Sequence, residues 1–216
     1  MTGSYLVIQF AGLLILTSVL VIISRKARTA ALLYGLQSLV LVATFVALGH
    51  LLGSEQLYKW AISAFITKVI LVPGAMLWAM RNMVDAKADG SVIATPWLVL
   101  CAVVIVLVSF AGVQSVQLPL TPSLKPVLAV SLGHFLLGIL CIVSQRNILK
   151  QIFGYCLMEN GAHLTLALLA YRAPELVEVG ISTDAIFAVL VMILMARKIY
   201  SSLNTLDVRQ LTQLKG

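Results

Sequence analysis

Three ionisable side chains lie where hydrocarbon would surround them. Lys68, Glu159 and Asp184 each fall inside a long apolar run, and His134 and His163 fall at comparable depth. Ionisable groups in such runs are expensive, so they face a protein interior or water and mark ion pathways. The chemistry open to these types is proton exchange. Burial favours the neutral form of a carboxyl group, and a neighbouring ammonium favours its charged form. A carboxyl held between those influences can load and release a proton near neutral pH. On this reading Glu159 and Asp184 carry protons, while Lys68 and His163 tune or pass them.

Each of these residues also has a static reading. Glu159 could be a protonated acid bonded across helices, and Asp184 the ion-pair partner of Lys68, which then becomes a fixed counter-charge. His163 reads equally as relay or as hydrogen-bonded packing. His134 reads first as a satisfied interior histidine and only second as a relay member. Gln37 and Asn160 are neutral polar residues inside apolar runs, and each is expected to make an interhelical hydrogen bond worth ~1 kcal/mol.

Spacing from the helix ends suggests how these groups are layered. Counting from Lys150, Glu159 is about 14 Å deep at ~1.5 Å per residue, and His163 lies four residues further on the same face. Lys68 and Asp184 are each thirteen residues from a basic residue, Arg81 and Arg197 respectively, or about 20 Å. His163, Lys68 and Asp184 could therefore share one layer, with Glu159 a turn away. Pro73 would free a backbone carbonyl and kink the helix next to Lys68.

Other chemistries find no support. Cys101, Cys141 and Cys156 lie in apolar runs without a CxxC or Cys/His spacing, so metal and disulfide frameworks are not indicated. No histidine pair at i,i+4, no phosphate-binding glycine loop and no dinucleotide fingerprint occurs. No catalytic residue is assigned, and a self-contained enzyme is not expected.

The elements that must position these groups follow from composition. The chain has 216 residues, 61% hydrophobic and 11% charged, with a mean hydropathy of +1.04. A soluble domain carries near a quarter charged residues, so this chain takes lipid as its solvent. Seven apolar runs approach the ~20 residues a spanning helix needs: 5–23, 31–52, 57–80, 96–114, 125–144, 151–171 and 179–199. The expected fold is an all-α integral membrane protein of about seven transmembrane helices. The first run has basic residues after it (Arg25, Lys26 and Arg28) and none before, the reverse of a secretory signal, so it reads as a retained helix.

Odd span number puts the termini on opposite sides. With the N-terminus out, the inner segments hold Arg25, Lys26, Arg28, Arg81, Lys87, Arg146, Lys150, Arg197, Lys198, Arg209 and Lys215. The outer segments hold only Lys59, Lys125 and Arg172. That bias places the N-terminus out and the C-terminus in. The net charge of +7 is then a topology signal, and nucleic acid is not an expected partner. Similar residue order around Lys68…Arg81 and Asp184…Arg197 hints at a duplicated three-helix unit, a repeat type found in transporters. The division expected is 1–95 as the first unit, 96–124 as connecting helix and loop, and 125–216 as the second unit.

The runs SQRNILKQIFGYCLMENGAHL, TDAIFAVLVMILMARKIY and TLDVRQLTQLKG, at 144–164, 183–200 and 205–216, carry a family resemblance. The chain resembles the E-type membrane subunits of hydrogenase-4, a formate hydrogenlyase. From about 125 to 216 it is also similar to the K-type subunit of respiratory complex I and the C-type subunit of sodium/proton antiporters. The resemblance implies a multi-pass subunit of a bacterial inner membrane, beside antiporter-like membrane subunits. Nickel–iron and iron–sulfur centres would lie in partner chains, with no cofactor in this one. It further implies two intramembrane carboxylates that help move protons. Asp184 matches the second by its distance to Arg197, with Asp replacing Glu, and Arg146, Asn147 and Gly154 match the start of the middle helix. The first family carboxylate falls at Cys156, whereas Glu159 comes three residues later. Residues 1–110 have no counterpart in the short subunit, so Lys68 inherits no role. Two alternatives stay open, a structural scaffold within the complex and a sodium/proton antiporter component.

Overall fold

A computed structural model describes residues 2–83, 85, 90–115, 122–173 and 175–212; the basic residues Lys87 and Lys215 and the terminal Gly216 lie outside them. Every long element is helical. The order is α1 (Thr2–Ile23), α2 (Ala27–Leu52), a rod made of α3 (Glu55–Ala64), a π-helical turn (Phe65–Leu71) and α4 (Val72–Ala79), then α5 (Thr95–Gln114), α6 (Lys125–Ser144), α7 (Ile148–Leu169) and α8 (Glu175–Leu203). These are seven rods, as the apolar runs predict. Among the described residues, six are long and apolar enough to cross a membrane. The remaining rod, α7, has 22 residues, but Gln151, Glu159, Asn160 and His163 make it the least apolar. Several helices outrun their apolar stretches. α8 begins before Val179 and continues to Leu203, because a helix end can leave lipid and satisfy its backbone in water.

Lipid is as apolar as leucine, so helices in a membrane associate through close packing and hydrogen bonds. The tightest pairing is α6 with α7. A Cβ placed on Gly138 would lie 2.3 Å from the Met158 backbone nitrogen, and one on Gly161 would lie 2.5 Å from that of Phe135. Only the absence of a side chain lets these backbones meet. The Asn147 side chain accepts from the Leu149 N–H at 2.9 Å and starts α7, as an N-cap residue should. α1 packs on α6 and α2 on α7, α5 lies along α6, and the Glu55–Ala79 rod packs against α2 and α8. The periphery belongs to α5 and α8, whose apolar stretches are only 22% and 28% buried within the chain, against 61% for α6.

The ends near Arg25 and Arg197 are tied by polar contacts. Lys150, counted from the sequence among the basic residues of the inner segments, is only 1% exposed. Its ammonium donates to the Ser24 carbonyl and, at 2.5 Å, to Gln145 Oε1. Gln145 Nε2 in turn donates to the Ile22 carbonyl at 2.9 Å, so Lys150 is a structural tie. The segment after α8 folds back on the α6–α7 turn. Ile148 N–H donates to the Leu206 carbonyl, Val208 N–H to the Arg146 carbonyl, and Arg146 pairs with Asp207. Asp85 Oδ2 accepts from Thr205 Oγ1 and Leu206 N–H at 2.9 and 2.8 Å.

Candidate functional site

The site begins with a defect in a helix. Pro73 has no N–H to give the Val69 carbonyl four residues earlier. The preceding backbone relaxes into the π turn Phe65–Leu71, where the Val72 N–H reaches back to the Thr67 carbonyl. Single π turns of this kind recur at functional sites. Gly35 of α2 lies against the weakened stretch, its Cβ position 3.7 Å from Pro73 Cγ and 4.0 Å from the Val69 oxygen. The turn carries Lys68, which is 1% exposed, into the middle of the bundle.

There the Lys68 ammonium donates to Glu159 Oε1 at 2.5 Å and to Asn160 Oδ1 at 2.8 Å. Asn160 Nδ2 donates to Gln37 Oε1 at 2.8 Å. The Gln37 amide meets His134 Nε2 at 3.2 Å, and His134 Nδ1 meets Ser18 Oγ at 2.8 Å. Ser18 ends the line by donating to the Leu14 carbonyl at 2.5 Å. Six side chains from five rods thus form one hydrogen-bonded line across the bundle.

The direction of that line is chemically determined. A lysine ammonium has only donors, so Asn160 must turn its oxygen toward it and its NH₂ toward Gln37. Gln37 must then accept with its oxygen and donate with its nitrogen. His134 Nε2 is left as an acceptor and Nδ1 carries the hydrogen, which defines a neutral imidazole. Lys68 therefore sets the tautomer of a histidine three bonds away.

The remaining sequence-derived candidates stand apart. His163 is one turn beyond Glu159, 1% exposed, with its ring centroid 4.9 Å from Phe45 and 5.3 Å from Trp60. Among the described residues, neither of its nitrogens has a hydrogen-bond partner. Asp184 is exposed on α8, and Lys68 pairs with Glu159 rather than with it. The two helices are joined elsewhere, Ser63 to Ser182 at 2.9 Å. Tyr155, four residues before Glu159, is within electrostatic reach of both Glu159 and Asp184. Sequence reasoning did not single out Tyr155 or Ser18. The available signal for Tyr155 was its i−4 spacing to Glu159 on one helical face. Among the described residues no three His, Cys, Asp or Glu side chains are grouped to hold a metal.

An all-α bundle of long apolar helices around a buried lysine–glutamate pair defines the class as an integral membrane protein. Residues 126–216 match the family of NADH-ubiquinone/plastoquinone oxidoreductase chain 4L, which covers α6 to the tail and includes Glu159, His134, His163 and Asp184. Across its full length the chain is 58% identical to hydrogenase-4 component E of Escherichia coli strain K12, and to that of Shigella flexneri, covering 100% of each. The chain belongs to the hydrogenase-4 component E family. A more distant relative is an uncharacterized protein of Mycobacterium tuberculosis, 26% identical over 98% of this chain and 97% of its own length. No solved structure matches.

Proposed function

We propose that this chain is a membrane subunit of a hydrogenase complex that takes part in proton translocation, with Lys68–Glu159 as its proton-loading pair. The observation carrying this reading is the buried pair itself, 2.5 Å apart on a π turn at membrane depth. As a unit the pair is neutral. Taking one proton from one side turns the carboxylate into an acid and leaves the lysine as a net positive charge. Releasing that proton to the other side restores the neutral pair.

The amide branch plays a different part. A carboxamide cannot hand on a proton without losing its amide form, so Asn160 and Gln37 interrupt any direct wire to His134. We assign Asn160, Gln37, His134 and Ser18 the task of holding Lys68 in place. His163, the next titratable group on α7, takes the side of Glu159 toward the outer end. Tyr155 lies on the opposite side and leads toward Asp184, which faces a partner subunit from α8. In this arrangement Asp184 exchanges protons across the subunit boundary.

The membrane is the bacterial inner membrane, with the N-terminus out, a reading supported by the distribution of Lys and Arg. Partners are other membrane subunits, including antiporter-like ones. Nickel–iron and iron–sulfur centres belong to partner chains. The scaffold alternative draws on the static amide branch, and the two readings separate in one experiment. Glu159→Gln leaves Lys68 uncompensated and should cost about 3–5 kcal/mol, so assembly alone could suffer. The double variant K68M/E159L removes both charges and should assemble near normally. Coupling of hydrogen evolution to a proton gradient in inverted vesicles is expected to be lost in that double variant. Undiminished coupling would sink the loading role and leave the scaffold.

A further inference from the structure

Beyond the Lys68–Glu159 pair, two stripes of residues continue toward the turn between α2 and α3. On the Glu55–Ala79 rod the positions four apart are Gln56, Trp60, Ala64 and Lys68, and on α7 they are Glu159, His163 and Ala167. Residues four apart lie on one helical face. Lys68 meets Glu159 at 2.5 Å, and the Trp60 and His163 ring centroids lie 5.3 Å apart, so the stripes face each other at successive levels. Trp60, Ala64, His163 and Ala167 are all buried. From Lys68 to Gln56 is about 18 Å at 1.5 Å per residue, which takes the stripe from the pair to the start of the rod.

The side-chain nitrogens on these stripes beyond the pair are His163 Nδ1 and Nε2, Trp60 Nε1 and Gln56 Nε2. Each is a buried atom, and among the described residues none has a hydrogen-bond partner. Within a membrane no outside solvent reaches such groups, and buried polar atoms that protein does not satisfy are met by ordered water. The two histidines differ sharply here. His134 is bonded at both nitrogens, whereas His163 is held by ring contacts with Phe45 and Trp60. Ala64 and Ala167 carry only a methyl group, which keeps bulk away from the nitrogens.

We propose that His163, Trp60 and Gln56 seat a file of internal water that carries protons between Glu159 and the α2–α3 end of the bundle, the outer end when the N-terminus is out. The proposal rests on the loading role of Lys68–Glu159 and names the path on one side of it. A neutral imidazole has one bare nitrogen and one N–H. The proton leaving Glu159 forms an N–H bond at the bare nitrogen, directly or through one water. The opposite N–H bond then breaks and its proton passes to the next water. One proton enters and one leaves, Glu159 is again a carboxylate, and the ring resets by turning over, which no protein hydrogen bond opposes. Trp60 Nε1 and Gln56 Nε2 are donors only, so they take no proton and act as positioning groups. Each holds a water through one lone pair and leaves the other lone pair for the incoming proton.

The test uses the assembled complex in its membrane. Brief radiolysis makes hydroxyl radicals from water in place, and mass spectrometry locates the side chains they modify. Trp60 is expected to be modified despite its burial, while Phe153, equally buried in the other half of the core, is not. An unmodified Trp60 overturns the proposal, and this measurement on the unaltered chain decides alone should a variant fail to assemble. Trp60→Phe keeps a ring and removes the N–H. In inverted vesicles it should slow proton translocation about tenfold, less than the ~10²-fold or more contributed by a group that itself transfers the proton. The solvent deuterium isotope effect on translocation should rise with it, which a packing defect would not cause. An unchanged rate, or a slower rate with an unchanged isotope effect, would overturn the positioning role. Loss of coupling in K68M/E159L with an unmodified Trp60 would sink the water file and leave the loading pair. Undiminished coupling in that double variant with a modified Trp60 would sink the pair, and with it the file's task.

Discussion

At the scale of single residues, the line from Lys68 to Ser18 behaves as a set of dependent choices. Lys68 supplies only donors, and each amide that follows can satisfy its neighbours in one orientation. His134 is therefore expected as a neutral imidazole with hydrogen on Nδ1, accepting from Gln37. Nitrogen-15 NMR of histidine-labelled protein reads this directly, and an Nε2–H tautomer or an imidazolium at neutral pH would break the assignment. Gln37→Leu should leave His134 Nε2 unpaired and the Asn160 amide with only its long 3.5 Å bond to Ser38 Oγ, costing about 1–3 kcal/mol for the unpaired buried group. Sequence alone suggested a hydrogen bond at Gln37 and at Asn160. It did not suggest that both lie on one line ending at His134, because residues 97 and 123 positions apart along the chain meet only through folding.

At the scale of elements, the α6–α7 pair and the tail clamp give separable expectations. Gly138→Ala or Gly161→Ala pushes a methyl group into the facing backbone, and overpacking of this kind costs about 1–3 kcal/mol. Gly74→Ala, whose Cβ would meet nothing within 4 Å, should raise stability by up to ~1 kcal/mol through helix propensity. Thermal unfolding in detergent compares the three. The clamp is electrostatic. Hydrogen bonding from Arg146 holds the Asp207 carboxyl below its ordinary range, and Asp207 raises the guanidinium of Arg146 in return. A depressed carboxyl contributes stability above its unfolded value, about 4, and loses it as pH falls through the lower folded value. Hydrogen-exchange protection at Ile148 and Val208, whose N–H groups make the clamp's backbone bonds, should therefore be high at neutral pH and be lost only in acid below about 4. Asp207→Asn should show fast exchange across the whole range. The π turn belongs to this scale as well. Pro73 announced a kink in the sequence, but its expression as a π turn placing Lys68 inward depended on α2 closing against it through Gly35.

At the scale of the whole molecule, α6 and α7 form the centre and α5 and α8 the rim. The bias of basic residues implies which side each end faces. Arg172→Cys, between α7 and α8, should react with an impermeant thiol reagent added outside intact cells. Ser202→Cys, near the end of α8, should react only after the membrane is opened. The reverse pattern would invert the orientation. The exposed α8 face around Asp184 includes Phe187, Leu190 and Leu194. A carboxyl side chain facing lipid is expensive, which is why a neighbouring subunit is proposed there.

By itself the sequence determined that the chain lives in lipid, how many rods it forms and which few polar side chains they carry. Those properties are local, since hydropathy over ~20 residues decides spanning and composition decides solvent. Tertiary structure decided which of the polar groups meet. Equal depth made Asp184 a reasonable partner for Lys68, yet depth is one coordinate and helix rotation is another. The glycine contacts of α6 with α7 and the π turn at Lys68 set those rotations. They turned Glu159 and Asn160 toward the lysine and left Asp184 on the rim.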